Sequence, residues 1–338
     1  MLLRDIPLSE DLDFTVLPGG PDEPSALRQA FGQIADWLRA ESGIELTIDD
    51  AAFRRRQNKR GNPTTQGRIA YHGPNPQPVP PKVKLDITSD EILAEQPVRR
   101  AIGHSYSDVP LPGHGVLCYS IAELFAEKLR ALAERCRPRD LYDVLHMHRH
   151  PDLIGRQRAV ATALARKCGH TGIDIPTVET IRSSPFRQEI EAEWENMLGH
   201  QLPRPLPPFA GFWSDLDDVF RWLTGTLQIE SLPRASLGDL DPAWQVPQAI
   251  TSWRRGIPLE LLRYAGVNRL KVDIDYRAEN GRQGPRRVEP YSLRRTRDGN
   301  LVLFEVNDRR QLRSYRVDRI VGIKPTTDPF TPTYRVEF

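Results

Sequence analysis

The stretch Leu8-Ser9-Glu10-Asp11-Leu12-Asp13-Phe14 alternates polar and apolar residues near the start of the chain. A two-residue repeat predicts a β-strand that carries Ser9, Asp11 and Asp13 on one face. Two carboxylates on one strand face can hold Mg²⁺, which usually takes one or two of them and completes its shell with phosphate oxygens and water. The same spacing also fits an exposed strand whose acids discourage aggregation, and it does not by itself decide between the two.

Composition limits the classes of protein to consider. The 338 residues are 39% hydrophobic and 27% charged, which is typical of a globular chain long enough for two domains. Residues 251–338 hold 19 Lys and Arg against 11 Asp and Glu, a surplus of +8, so the rest of the chain carries −6 of the net +2. This indicates a basic C-terminal module joined to an acidic remainder.

The cysteines and the hydropathy pattern point to the cytoplasm. Cys118, Cys136 and Cys168 are odd in number and lack the C-x-x-C spacing, which argues against a disulfide framework and a zinc knuckle. The N-terminus lacks the apolar core of a signal peptide, and no run approaches the ~18 apolar residues of a membrane span. We therefore expect a cytoplasmic protein with no membrane partner.

The sequence of the remaining N-terminal half predicts one helix followed by two further strands. Residues 25–42 have the apolar spacing of an amphipathic helix, with Ser25 as its N-cap and Gly43 as its stop. Strands are expected at 66–71 and 83–88, and the second places Asp86 where it could meet Asp11 and Asp13 across a sheet. A third carboxylate would complete a second ion site or take the proton of a nucleophile.

A basic run lies between these strands. Arg54-Arg55-Arg56 is followed by Lys59 and Arg60. Such a run is most often a solvated face, and the functional alternative is a patch that binds the phosphates of a triphosphate or a nucleic acid.

Residues 120–149 predict two consecutive helices. Ser120 can cap the first, and Lys128 falls inside its apolar stripe, so it must reach solvent, pair with an acid or project into a pocket. Pro138 begins the second helix, and Asp140 and Asp143 near its start complement the helix dipole.

Three blocks together resemble the AbiEii/AbiGii-type nucleotidyltransferase toxins: LSEDLDF at 8–14, KLDIT at 84–88 and AEKLRALAERCRPRDLYDV at 126–144. The resemblance covers residues 1–230. It implies an α+β chain with a nucleotidyltransferase fold, a small mixed sheet with flanking helices, over residues 1–150, and a helical subdomain over 151–230. It also implies Mg²⁺-dependent transfer of a nucleotidyl group from an NTP to an acceptor such as a tRNA end, in a toxin–antitoxin or phage-defence system with an antitoxin partner.

The resemblance also assigns roles to individual residues. Asp11, Asp13 and Asp86 would hold Mg²⁺, Lys128 would hold the triphosphate, and Asp140 would match the remaining acidic motif. The nucleotide would further be contacted by Ser9, Arg135, Arg139 and Asp143. Family members carry a Gly-Gly-Thr or Gly-Ser turn upstream of the acidic strand, whereas no glycine occurs in residues 1–10. We therefore expect either a start further upstream or, as the alternative function, a catalytically inactive regulator that binds nucleotide or nucleic acid.

The C-terminal module has a strand pattern. Ser214 with Asp217 predicts the cap of a helix that precedes a linker at 231–256. After a short helix, five strands are expected in a small barrel: Leu270–Tyr276, Arg287–Leu293, Leu301–Val306, Arg313–Val317 and Tyr334–Phe338.

The blocks RVEPYSL at 287–293 and SYRVDRI at 314–320 resemble a WYL domain over residues 257–338, with Leu301-Val302-Leu303 in place of the Trp-Tyr-Leu. The resemblance implies an SH3-like β-barrel that senses a nucleotide or nucleic-acid ligand. Arg287, Arg313 and Arg316 would line its pocket, or else solvate the outer face. Asp273 and Asp275 are expected to pair with these arginines.

Overall fold

The chain divides into two compact units. The computed structural model describes residues 11–58, 61–73, 77–101, 115–227, 229–232, 259–296, 299–307 and 309–338. One unit ends at Leu93 and the other runs from Ala94 to Phe338. The predicted domain limits at residues 150, 230 and 256 stay predictions. Ser9, Lys59, Arg60 and most of the predicted linker lie outside the described residues.

The first unit is a mixed sheet packed against a helix. Its elements are β1 (Asp11–Thr15), α1 (Pro24–Ser42), β2 (Glu45–Thr47), β3 (Phe53–Gln57), β4 (Pro63–His72) and β5 (Lys82–Thr88). The strand order is β1-β5-β4-β2, and β3 also pairs with β4. Strand β1 runs parallel to β5, while β4 is antiparallel to β5, β3 and β2. The predicted small mixed sheet is therefore confirmed.

Helix α1 covers one face of this sheet. Leu27 packs with Phe53, Leu85 and Ile87 in a buried cluster. Gly67 lies inside it, where a Cβ would come within 2.9 Å of the side chains of Phe53 and Leu85, so only glycine fits.

The two ends of α1 differ in how well the sequence predicts them. It ends at Gly43 with φ 71°, as predicted, but Ser25 is not its N-cap, because Pro24 already occupies the first turn. The capping residue is Glu23, whose side chain makes no capping hydrogen bond.

The second unit begins with a short ribbon and seven described helices. The ribbon pairs β6 (Val98–Arg100) with β7 (Val116–Cys118). The helices are α2 (Ile121–Arg135), α3 (Pro138–His148), α4 (Gln157–Thr171), α5 (Val178–Arg182), α6 (Arg187–Leu198), α7 (Phe209–Ser214) and α8 (Leu216–Leu223). Both predicted starts are confirmed: the Ser120 hydroxyl accepts the backbone N–H of Glu123 at 3.0 Å, and Pro138 opens α3. A buried cluster that includes Phe125, Leu141 and Leu164 joins these helices.

The last part of the second unit contains helix α9 (Leu259–Val267) and two three-stranded antiparallel sheets. The strands are β8 (Leu270–Arg277), β9 (Gln283–Val288), β10 (Pro290–Arg295), β11 (Leu301–Val306), β12 (Leu312–Arg316) and β13 (Ile320–Pro329). The sheet orders are β13-β8-β9 and β10-β11-β12, and α9 packs on strands of both. No ladder joins the two sheets among the described residues, so the predicted small barrel is not confirmed.

Two strand predictions in this part are wrong. The segment 287–293 is not one strand, because the chain leaves one sheet at Val288 and enters the other at Pro290. The segment 334–338 makes only an isolated bridge, between Glu337 and Ser292, while the unpredicted β13 supplies the strand beside β8.

Cys118, Cys136 and Cys168 are all free thiols. Within the described ranges, no helix has the length and apolar character to cross a membrane.

Candidate active site

The predicted carboxylates of the first unit share one exposed sheet face. The parallel register of β1 and β5 sets Asp13 beside Asp86 and Asp11 beside Lys84. This face is opposite Leu85 and Ile87, which pack in the core beneath α1. Asp13 and Asp86 are exposed, and the Nζ of Lys84 lies 3.4 Å from the Oδ1 of Asp11. The structure therefore sets Asp13 and Asp86 side by side, with Asp11 two positions along β1 on the same face, beside Lys84.

The arrangement suits an open magnesium site. Two carboxylates side by side on neighbouring strands repel each other, and a divalent cation between them relieves the repulsion. Mg²⁺ needs only one or two protein carboxylates, with water and phosphate oxygens as its other ligands. Among the residues whose positions are described, no three His, Cys, Asp or Glu side chains converge as a metal cage. The donor set at Asp13 and Asp86 thus fits Mg²⁺ better than a metal that requires a closed protein shell.

The second group of predicted residues lies where α2 meets α3. Arg135, the last residue of α2, donates from Nε and Nη2 to the two oxygens of Asp140 at 2.7 and 2.6 Å. Only 2% of the Asp140 side chain is exposed. This hydrogen-bonded pair raises the pKa of Arg135 above its usual range. The pair joins the end of one helix to the first turn of the next.

A second ion pair lies beside it. The Nζ of Lys128 is 2.6 Å from the Oδ2 of Asp143, and both side chains are partly exposed. Burial raises the pKa of the Asp143 carboxyl, and the charge of Lys128 opposes that shift. Of the three alternatives for Lys128, the structure shows pairing with an acid. Arg139 is exposed on the outer side of α3.

A buried network that the sequence does not reveal fixes α2. Lys167 of α4 is 3% exposed and lies 3.0 Å from Glu123 and 3.4 Å from Glu127. Glu123 also accepts the backbone N–H groups of Ala94 and Glu95 at 3.0 and 2.7 Å. The sequence pattern of α4 does not distinguish Lys167 from a surface lysine. Only the three-dimensional structure shows that its ion pairs join α4 to α2.

The other end of α3 is held by a cluster that we name the Asp215 clamp, formed by Arg149, Asp215 and Arg269. Both arginines donate to the Oδ2 of Asp215, at 2.7 and 2.5 Å. Arg149 also donates to the carbonyl oxygen of Val267 at 3.0 Å. Its guanidinium carbon lies 4.7 Å from the centre of the Phe212 ring. Burial, together with the nearby charge of Arg269, lowers the pKa of Arg149 to about 10.

The predicted cap of α8, Ser214 with Asp217, is wrong because Ser214 is the last residue of α7 and Asp215 stands at the cap position. Asp215 precedes α8 but makes no side-chain capping bond, because its carboxylate is engaged by the two arginines. Ser214 donates instead to the carbonyl of Gly211, and Asp217 pairs with Arg182 at 2.8 Å.

The predicted ligand arginines of the C-terminal part lie on different sheets. Arg287 on β9 donates to both oxygens of Asp273 at 2.8 and 2.9 Å and also contacts Asp328 at 2.6 Å. These acids raise the pKa of Arg287. The Asp273 pairing is confirmed, whereas Asp275 accepts a hydrogen bond from Gln283.

The other two arginines lie on β12. Arg316 pairs with Asp318 at 2.7 Å, and Arg313 stands in register with Glu305. Glu305 is buried, which raises its pKa, and it accepts the hydroxyl of Tyr315 at 2.9 Å. Sequence reasoning did not single out this buried glutamate, because it lies in an otherwise apolar strand.

Comparison with known proteins agrees with this organisation. The family model described as "Nucleotidyl transferase AbiEii toxin, Type IV TA system" matches residues 8–222. The WYL domain model matches residues 259–325. No curated protein matches the chain. The first match spans well over half of the sequence and contains both groups of predicted acids, Asp11, Asp13 and Asp86 in the first unit and Asp140 and Asp143 in the second. The chain therefore belongs to the AbiEii nucleotidyltransferase toxin family and carries a WYL domain after that region.

Proposed function

We propose that this protein is a Mg²⁺-dependent nucleotidyltransferase toxin that transfers a nucleotidyl group from an NTP to an acceptor RNA such as a tRNA end. It would act in the cytoplasm, in a toxin–antitoxin or phage-defence system, with an antitoxin protein as its partner. The observation that carries the proposal is the register of β1 and β5, which sets Asp13 beside Asp86 with Asp11 on the same face.

The chemistry assigns a role to each group. An acceptor hydroxyl oxygen bonds to the α-phosphorus, the bond from that phosphorus to the bridging oxygen breaks, and pyrophosphate leaves with the electron pair. Asp11, Asp13 and Asp86 would hold Mg²⁺, which when bound offsets the negative charge of the phosphate oxygens. Asp86 would either complete a second ion site or take the hydroxyl proton.

The α2–α3 residues would act on the nucleotide. Lys128, which is held by its ion pair with Asp143, would bind the triphosphate through its positive charge. The pair of Arg135 and Asp140 would hold α2 and α3 in the orientation that presents Lys128 to the nucleotide. Ser9 and Arg139 are further proposed contacts to the nucleotide.

The WYL domain would sense a nucleotide or nucleic-acid ligand on an SH3-like arrangement of its two sheets. Arg313 would contact the ligand directly. Arg287 and Arg316 would contribute only by exchanging their carboxylate partners for the anionic ligand, since both are ion-paired in this structure.

The test is incorporation of labelled NTP into deacylated tRNA with and without Mg²⁺, in a protein that includes any residues encoded upstream in frame. Asp13→Asn and Asp86→Asn should each lower transfer by at least about 100-fold, since several kcal/mol of charge stabilisation depend on the metal. Asp36→Asn is the matched control, because Asp36 is an exposed acid on α1, on the other side of the sheet. Undiminished transfer in the Asp13 and Asp86 variants would refute the assignment of these residues to the metal site of a nucleotidyltransferase.

Metal binding has a readout of its own. Mg²⁺ added after chelation should raise the unfolding temperature of the wild type, and at ten times its Kd the gain is about 1.4 kcal/mol. Neither Asp13→Asn nor Asp86→Asn should show that gain. A wild type that binds nucleotide or nucleic acid but transfers nothing would favour the alternative, an inactive regulator.

A further inference from the structure

The sheet of the first unit carries arginines on the same face as its carboxylates. Across the four strands the register runs Asp13–Asp86–Gln66–Arg54, so Arg54 lies on the same face as the two acids. Arg56 follows two positions along β3, and Arg68 lies on β4 beside Lys84. We call Arg54, Arg56 and Arg68 the open-face arginines.

These arginines differ from their neighbour on the opposite face. Arg55, which points toward α1, lies 2.6 Å from Glu23 and donates to the carbonyl of Asp22. The open-face arginines are all exposed, and within the described parts of the chain none of them has an ion pair or side-chain hydrogen bond. Three exposed positive charges without acid partners form a surface that favours an anion.

The spacing of the charges fits a chain of phosphates. Strands are about 4.8 Å apart, so the backbone of Arg54 lies roughly 10 Å from that of Asp86 and roughly 14 Å from that of Asp13. Arg54 and Arg56 are separated by about 6.8 Å along β3. The arginines therefore begin two strands from Asp86 and continue along β3, an outer strand of the sheet. Such a row of positive charges matches the backbone of a nucleic acid, which carries one phosphate per nucleotide.

We propose that the backbone of the acceptor RNA crosses this face, with phosphates on Arg54, Arg56 and Arg68 and its 3′ end directed toward Asp13 and Asp86. This inference rests on the proposed nucleotidyl transfer and adds where its acceptor binds. Gln66, exposed between Arg54 and Asp86, offers an amide to the nucleotide that lies between them.

The experiment measures binding without catalysis. Fluorescence anisotropy of 5′-labelled deacylated tRNA is recorded with the full chain in EDTA, without NTP, from 50 to 200 mM KCl. In the Arg54→Gln/Arg56→Gln variant the slope of log K against log salt should fall by about 1.4 to 2, because each phosphate contact contributes about 0.7 to 1. The affinity at 0.1 M salt should fall about tenfold or more.

Arg55→Gln is the matched control, since it removes the adjacent charge on the opposite face and should leave slope and affinity unchanged. In the transfer assay the double variant should raise KM for tRNA and leave kcat and KM for NTP unaltered. The proposal is overturned if the wild type does not bind tRNA, if the double variant binds as the wild type does, if Arg55→Gln weakens binding equally, or if the double variant raises KM for NTP instead. Failure of the proposed function looks different: tRNA is bound through these arginines, but no nucleotide is transferred.

Discussion

Removing the charge of Asp215 while keeping its shape should destabilise the second unit strongly. In Asp215→Asn the side-chain oxygen can still accept the hydrogen bonds of both arginines, but the negative charge that balances the two guanidinium groups is gone. Arg149 and Arg269 would then remain beside each other, with side chains only 9% and 12% exposed. Among the described residues, Asp215 is the acid with which each of them forms an ion pair, and that pair would be lost.

The magnitude follows from the burial of the three groups. Removing one partner of a buried ion pair typically costs about 3–5 kcal/mol. The Asp215 side chain is 23% exposed, so solvent screens part of the interaction and we expect about 3 kcal/mol. For a folding unit of this size that loss corresponds to a fall of roughly 6–12 °C in Tm.

The assay is urea and thermal unfolding of the full chain, followed by tryptophan fluorescence and circular dichroism. The control is Asp217→Asn, the same chemical change two residues away, where the Arg182 pair is exposed on both sides and should contribute below about 1 kcal/mol. Equal, small losses in the two variants would refute the view that the clamp holds α3 in place.

Two further predictions concern α2 and α3. Lys167→Met should lower the free energy of unfolding by about 3 kcal/mol or more in a urea titration, because Glu123 would stay buried without its cation; the more exposed pair of Lys271 serves as control, and an equal loss in Lys271→Met would contradict the reasoning. Burial raises the pKa of Asp143 above its unfolded value, so the folded state binds that proton more tightly, and the contribution of this carboxyl to stability is lost as pH rises from about 4 through its folded pKa. Asp143→Asn should remove that slope in pH-dependent unfolding, and a slope identical to that of the wild type would show that another group causes it.

Local sequence patterns correctly predicted the elements and helix ends that depend on only a few neighbouring residues. The apolar run 301–306 predicted β11 with its observed limits, Ser120 and Pro138 predicted the starts of α2 and α3, and Gly43 predicted the end of α1. Each of these signals depends only on neighbouring residues, and tertiary contacts do not override them.

The errors arise where distant parts of the chain decide the outcome. Strand β13 contains Pro325 and Pro329, which argue against a strand, but it lies at the edge of its sheet, where missing N–H donors are tolerated. Likewise, Ser214 was predicted to cap α8, but it ends α7, and the carboxylate of Asp215 at the cap position is engaged by arginines 66 and 54 positions away in sequence. Such choices depend on three-dimensional neighbours that a single sequence does not display.

The candidate site likewise combines features that the sequence predicts with features that it does not. The residue types and their order were predictable, and the register confirmed that Asp13 and Asp86 are neighbours. The partners of the charged groups were not predictable, since Lys128 could have reached solvent as well as Asp143, and Arg287 could have been open to a ligand.

Helix α3 limits what a truncation experiment can show. Asp140 stands in its first turn, and Arg149 ends it about 14 Å away, where Val267 and Arg269 of the C-terminal part contact the clamp. A protein cut before residue 259 would lack those contacts and would therefore differ from the full chain at the helix that bears Asp140. A change in toxicity after such a deletion could not be credited to the loss of a sensor. Genetic dissection of this two-part toxin should therefore rely on point substitutions in the intact chain.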